Sequence, residues 1–363
     1  MASVAGLNAS ADATLLSPNV QAALDQLSGE AHAATTSALL NSNSLLLNTL
    51  SNRLRGNVGA GMLAGAPMAQ ASGSIPASAM PRSAASPLWA QMTGAWQTLD
   101  GDANASRVKN KTGGLFLGGD GKFGQGWRLG GALGFANSDI KVGDRSSTSD
   151  VDSYSAAIYG GNSWKAARGK VNFLAGAGYT RHSINSRRTV TVGRSQTLKA
   201  DYHANTTQLF TELGYAFPVG QASVAEPYLG AAWLSQRTKG FSESGGDAAL
   251  RSDSRTDDMT TFTVGLRGKT LLNVGKRETS LFAGLGWRHA AGDISPASRM
   301  SFIQGNGATF DISGAPIARN AAVAELGAET ALSENAVMGL SYNGQFGNGN
   351  TDNAGSLYLK VRF

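Results

Sequence analysis

The 363-residue sequence contains no cysteine. That excludes a disulfide framework, a thiolate metal site and a cysteine nucleophile, and it suits an envelope protein in an oxidising compartment. Charge is also scarce, at 15% of residues against roughly 25% in ordinary soluble domains. Proline occurs only 9 times, and no run is long and apolar enough for a transmembrane helix. The longest stretch without charge, Gly56 to Pro81, is broken by Gly, Ser and Pro. The first residues, Met1-Ala2-Ser3-Val4-Ala5-Gly6, lack the basic and apolar regions of a secretory signal. The chain is therefore expected to be the C-terminal part of a longer precursor, or a truncated reading frame.

Glycine, by contrast, is abundant at 47 residues. Mean hydropathy is only −0.16. Low charge with neutral hydropathy is odd for a helical membrane protein but natural for a β-barrel, whose strands are half apolar and half polar. The net charge of +6 is scattered, without a basic helix or an aromatic-interleaved patch, so no nucleic-acid partner is expected.

The chain ends on Ser356-Leu357-Tyr358-Leu359-Lys360-Val361-Arg362-Phe363. Leu357, Leu359, Val361 and Phe363 share one strand face, and the polar residues and Tyr358 share the other. A frayed soluble terminus gains nothing from a final Phe, whereas a paired strand in a bilayer does.

Four regions follow. Residues 1–17 read as a leader or passenger remnant. Residues 18–55 are helical, with Leu24, Leu27, Ala31, Ala34, Ala38, Leu45, Leu46, Leu50 and Leu54 near helical spacing and Ser17-Pro18 as the predicted start. Such a helix is on the order of 50 Å long, enough to thread a pore. Gly29 is its weak point. Its small and polar side chains suit a hydrated lumen, and the sustained heptads of a coiled-coil stalk are missing. Residues 56–87 are a Gly/Ala/Ser/Pro linker. From residue 88 to 363 the period switches to two.

About twelve strand-like segments are visible there, an even number as bacterial barrels require. Val171, Phe173, Ala175, Ala177 and Tyr179 are predicted to face out, opposite Asn172, Gly176, Gly178 and Thr180. Phe262, Val264 and Leu266 likewise oppose Thr261, Thr263, Gly265 and Arg267. Inward glycine is expected where something crowds the lumen. Short links alternate with long ones, Asp100–Lys111, Asp139–Asp150, Ser183–Asp201, Lys239–Asp257 and Ala290–Arg319, as periplasmic turns alternate with extracellular loops. Gly347–Asp352 is the one short outer link. The predicted fold is an all-β membrane protein: a twelve-stranded antiparallel transmembrane β-barrel with an N-terminal helix threaded through its lumen.

Helix, linker and terminal-aromatic barrel, in that order, resemble the translocator unit of autotransporters (type V secretion). Local wording agrees: Ala23-Leu24-Asp25-Gln26-Leu27-Ser28-Gly29-Glu30-Ala31-His32, Asn52-Arg53-Leu54-Arg55, Leu88-Trp89-Ala90-Gln91, Gly284-Leu285-Gly286-Trp287-Arg288-His289 and Leu357–Phe363. The resemblance implies a bacterial outer-membrane protein that translocates or anchors a covalently linked N-terminal passenger at the cell surface. Lipid, the barrel-assembly machinery and periplasmic chaperones are its expected partners, and a monomer its expected state. It also implies that Leu357, Leu359, Val361 and Phe363 form a barrel-assembly signal. Only a short segment precedes Leu24, so the passenger is expected to be absent from or minimal in this chain. Rival readings are a plugged or porin-like channel, and a surface adhesin acting through its loops.

Strand parity puts Arg128, Glu212, Arg267, Arg288, Glu325 and Glu329 in the lumen, with Lys269, Lys360 and Arg362. Glu212, Glu325 and Glu329 are expected partners for Arg53 and Arg55, in a charge zone that orients the helix. No enzyme is predicted and no cofactor or metal implied. His182, His203 and His289 with Asp150, Asp201 and Asp257 read as surface polarity rather than a rim protease, and Asn41-Ser42-Asn43 lacks the Asn-Asn pair of self-cleaving relatives. Trp89, Trp96, Trp127, Trp164, Trp233, Trp287 and Tyr228, near strand ends, are expected to form interfacial girdles.

Overall fold

A computed structural model describes residues 24–58 and 88–361, except 103–104, 144–145, 193, 221, 275–276, 306 and 334. The predicted leader 1–17, the Ser17-Pro18 start, most of the linker, Arg362 and Phe363 lie outside the described residues.

Helical structure begins with a turn at 24–27, then α1 (Glu30–Ser42) and α2 (Ser44–Val58). The strands are β1 (Leu88–Leu99), β2 (Val108–Phe123), β3 (Trp127–Val142), β4 (Ser147–Ala166), β5 (Gly169–Val192), β6 (Arg194–Pro218), β7 (Ser223–Thr238), β8 (Phe241–Ser242), β9 (Leu250–Ser252), β10 (Arg255–Val274), β11 (Arg277–Gly292), β12 (Ala297–Phe302), β13 (Thr309–Ser313), β14 (Asn320–Ser333), β15 (Ala336–Gly347) and β16 (Asn350–Val361). Twelve of them close into an antiparallel barrel, β1 through β7, then β10, β11 and β14 to β16. The last seam pairs β1 with β16, from Leu88 opposite Val361 to Leu99 opposite Asn350.

Parity divides each strand as expected. Met92, Leu133, Ile158, Phe262, Leu285 (71% exposed) and Leu357 point outward, while Gln91, Thr93, Asn172, Thr180, Gln208 and Ser356 are buried inside. Such a belt of bare apolar side chains costs free energy in water but not in lipid. No described helix is long and apolar enough to cross a membrane.

Inward glycines have a specific cause. Phe116 lies across Gly134, its direct partner on β3, and Phe210 across Gly176 on β5; a Cβ on either glycine would enter the ring. Trp89 over Gly118, Tyr228 over Gly265 and Tyr358 over Gly339 repeat the arrangement. Rings laid flat on the neighbouring strand line the lumen without filling it, which leaves room for the helix.

The long connections differ from expectation. Much of Ser183–Asp201 is strand, because β5 and β6 continue as a ladder to Val192 and Arg194. These extensions stand in water, so lipid no longer imposes apolar–polar alternation and the sequence reads as loop. Lys239–Asp257 and Ala290–Arg319 hold a separate four-stranded sheet, in the order β13-β12-β9-β8, over the mouth of the barrel. Its strands are as short as two residues, too short to show a period. Trp89 and Tyr228, expected in the girdle, sit on inward parity instead, and being near a strand end does not override that. Trp96, Trp127, Trp164, Trp233 and Trp287 are exposed on the outer face.

Replacing Gly134 or Gly176 by Ala is expected to cost about 1–3 kcal/mol, since the added methyl overpacks the opposing ring. Urea unfolding of the detergent-solubilised barrel, followed by its heat-modifiable gel mobility, measures this. Gly131→Ala, with only a carbonyl at contact distance, serves as the mild control.

Candidate functional site

The candidate site is the helix-filled lumen. Of α1, Glu30 to Asn41 are all buried, yet the helix has no broad apolar face. It is small instead: Ala31, Ala33, Ala34 and Ala38 let the wall approach. Its hydroxyls bond back to the helix, Thr35, Thr36, Ser37 and Ser42 each donating to the carbonyl four residues back, at 2.7–3.3 Å, while Thr35 and Ser42 also meet Ser149 and Asn110 of the wall at 2.8 Å. A polar helix can therefore be buried without a wall partner for every hydroxyl. The helix is not continuous. Asn43 interrupts it, its Nδ2 donating to the Leu39 carbonyl at 2.8 Å. Gly29 precedes α1 with φ +72°, and a Cβ there would enter Leu250 and Met300 of the cap.

At the mouth, His32 of α1 is clamped. Its Nε2 lies 2.8 Å from Glu243 Oε1 and its Nδ1 3.1 Å from the Tyr202 hydroxyl. A neutral ring with the proton on Nε2 satisfies both, donating to Glu243 and accepting from Tyr202. Phe241 stacks on Tyr202 with ring centroids 4.2 Å apart. Arg188 forks onto Glu243 through Nε and Nη2, both at 2.7 Å, and its Nη1 donates to the Gln26 carbonyl. Burial pushes the Glu243 carboxyl up, but the bonds from Arg188 and His32 outweigh it and hold it down at about 2. Glu30 accepts from the Ser106 backbone N–H.

At the other end lie two arginines. Arg53 donates to Asp120 at 2.6 Å; Arg128 also binds Asp120, and Tyr159 donates to it at 3.2 Å. The Trp89 indole donates to Tyr159 at 2.8 Å, and Arg53 stands 5.9 Å over the Trp89 ring. Arg55 binds Glu212 at 2.5 Å and Glu325 at 3.1 Å. Arg267 shares Glu212 at 2.7 Å and holds Glu226 at 3.0 Å, and Arg55 and Arg267 both face the Tyr228 ring.

Several predicted pairings change here. Glu212 and Glu325 do meet Arg55, but Arg53 meets Asp120, and Glu329 binds Lys360 at 2.9 Å and accepts from Tyr358. Asp120 was missed because it lies between two glycines near a short turn and reads as turn chemistry. Glu226 was missed because it stands near the start of β7, close to the turn that precedes it. Arg288 is inward but has no ion-pair partner among the described residues. Leu46, Leu50 and Leu54 pack with Phe116, Leu174, Tyr159 and Phe210. Leu27 packs beside Val190 and Leu198, and Leu24 is half-buried. Leu357 and Leu359 are exposed on the outer face of β16 and Val361 is half-buried on the same parity.

The histidines do not converge. His182 points inward between Ser153 and Thr206 at 2.8 and 3.0 Å, and His289 lies 2.8 Å from Asn320 Oδ1 on the outer side. His203 is on the opposite face from Tyr202, and Asp257 is paired with Arg255. No group of three metal-ligating side chains comes together among the described residues.

A closed barrel with short turns on one rim, long connections on the other and a helix through its lumen defines an outer-membrane translocator architecture. The sequence matches the autotransporter β-domain family over residues 88–343, and the chain belongs to that family; it is a bacterial outer-membrane protein. An extracellular serine protease of Serratia marcescens is 32% identical over 346 residues, 95% of this chain but 31% of that protein. The chain thus spans about a third of that relative's length. Among solved structures, the translocator domain of NalP from Neisseria meningitidis has the same fold, with TM-score 0.66 and 17% identity over 93% of this chain and all of that one. The β domain of Bordetella BrkA follows, with TM-score 0.57 and 19% identity over 77% of this chain and all of that one.

Removing the carboxylate that Arg55 and Arg267 share takes one of two carboxylates from each buried cation, leaving Arg55 with Glu325 and Arg267 with Glu226. Glu212→Ala is expected to destabilise the threaded barrel by about 1–3 kcal/mol, and Glu212→Gln by less. A double-mutant cycle with Arg55→Ala, read by urea unfolding, isolates the helix-anchoring part. Glu243 titrates below its unfolded value, so its stabilisation is present above about pH 4.3 and fades as pH falls toward 2. Hydrogen-exchange protection factors of residues 239–254 should fall over that window, and in Glu243→Gln they should be low throughout.

Proposed function

We propose that this chain is the membrane unit through which an N-terminally linked passenger reaches, and is held at, the cell surface. The polarity of the helix carries the reading. Its C-terminal arginines lie near the short-turn rim, where β2 ends at Phe123 and where β1 begins at Leu88. Its N-terminal residues lie under the cap sheet built from the long connections. With short turns in the periplasm, a chain extending ahead of residue 24 emerges outside the cell. The 31% coverage of the Serratia protease accords with a passenger making up most of such a precursor.

The work is physical. The sheet satisfies its own backbone hydrogen bonds in lipid, and the polar lumen offers the chain an aqueous path. The lumen residues act as anchors rather than catalysts: Arg53 and Arg55 hold the helix against Asp120, Glu212 and Glu325, with Arg128, Arg267, Arg288 and Glu329 completing the charge zone. Leu357, Leu359, Val361 and Phe363 are the edge by which the barrel-assembly machinery, after periplasmic chaperones, receives the last strand. One barrel suffices, as a monomer.

The test is a signal peptide and an epitope-tagged reporter fused ahead of residue 24. Intact cells should bind the antibody, and loss of Phe363 should cut the heat-modifiable, assembled form several-fold. A reporter retained in the periplasm beside a fully assembled barrel would overturn the reading.

A further inference from the structure

The helix fills the lumen unevenly. Leu46, Leu50 and Leu54 press against the β2–β6 wall, while the wall made of β7, β10, β11 and β14–β16 stands back. Between that wall and the helix lies a cavity of about 160 Å³, bordered by Asn43, Asn48, Thr261, Thr263 and Asn343. A second, of about 80 Å³, continues toward the periplasmic rim to Val224 and Lys269. Arg55 and Glu325 border both. Charged and amide side chains border each, among apolar ones, and each is large enough to hold several waters.

Two charges face the first cavity without meeting. Arg288 is 93% buried by its 7% exposure, and its Nε and Nη2 have no hydrogen-bond partner. Asp352 borders the same space from β16, with Ser44 Oγ at 3.5 Å. Opposite charges held apart across a wet gap set up a transverse field, as in polar pores.

The end toward the mouth is different in kind. Leu40 of α1, Leu234, Met259, Ala290 and Ile317 form one buried apolar cluster, with Ile294 packed against it. Ile317 comes from the connection between β13 and β14, and its N–H donates to the Ile294 carbonyl at 2.7 Å. An apolar constriction between aqueous spaces blocks ions by excluding water.

We propose that the helix-filled barrel keeps a water-filled half-channel along its β7–β16 wall, open toward the periplasm, and that the apolar seal around Ile317 closes it to the outside. With the seal breached and the helix in place, the path conducts small hydrated ions past Arg288.

Single-channel recording of the full chain in planar bilayers tests this, with Ile317→Ser and Met259→Thr as seal variants from different elements. Both are expected to raise unit conductance several-fold over the parent, while Ile317→Leu does not. Heat-modifiable mobility and protease protection of residues 24–55 confirm a folded barrel with its helix retained. Adding Arg288→Gln to either seal variant should move the reversal potential in a KCl gradient toward cation preference. Folded seal variants that conduct like the parent, or that conduct only after the helix is released, overturn the proposal. So does a reversal potential indifferent to Arg288.

Discussion

The seam between β1 and β16 is the contact on which everything else rests. In a hydrocarbon medium an unpaired strand edge forfeits several kcal/mol for each orphaned backbone group. Continuous pairing from Leu88–Val361 to Leu99–Asn350 leaves the sheet with no edge in lipid. Closure fixes parity around the ring and separates a lipid face from a lumen. It also brings the first and last strands to the same rim. The helix, whose C-terminal end lies at that rim, has one enclosed place to go.

Enclosure in turn dictates what the helix can be made of. A helix as apolar as Leu-rich cores would collapse against a polar wall, and one rich in long polar side chains would not fit. Alanines and back-bonded hydroxyls along α1 answer both constraints, and the direct bonds to the wall between the ends are scattered single contacts, among them Thr35 to Ser149 and Asn110 to Ser42, both at 2.8 Å, and Gln91 to Thr49 at 3.0 Å. Specific, charged contacts are kept for the two ends. On the barrel side, rings laid over partner-strand glycines supply apolar surface at little thickness.

Legibility in the sequence follows the solvent. Where lipid bathes one face and the lumen the other, alternation is forced, so β1 spans Leu88–Leu99 as its pattern predicts, and Glu212, Arg267 and Glu325 fall inward. Beyond the bilayer that forcing stops, which hid the β5–β6 extension and the cap. Partner choice was harder still. Parity says that a side chain enters the lumen but not at what height it meets the helix, so Arg53 was matched with the glutamates when Asp120 stood closer. His32 gave no signal at all: its partners Glu243 and Tyr202 are 211 and 170 residues away, one in a segment that reads as loop and the other at the first residue of a predicted strand.

The two end clusters together define a register, which neither does alone. Sliding the helix by one turn moves every side chain about 5.4 Å along the axis. That carries Arg55 out of reach of both Glu212 and Glu325, and Arg53 away from Asp120. At the same time it pulls His32 out of the Glu243–Tyr202 notch and drives Gly29, with no Cβ to spare, away from Leu250 and Met300. Between these ends the contacts are mostly small and forgiving. A helix so held is tolerant of composition along its length and intolerant of displacement. That is what a tether needs if the polypeptide once passed through the same lumen and must then stop at one place.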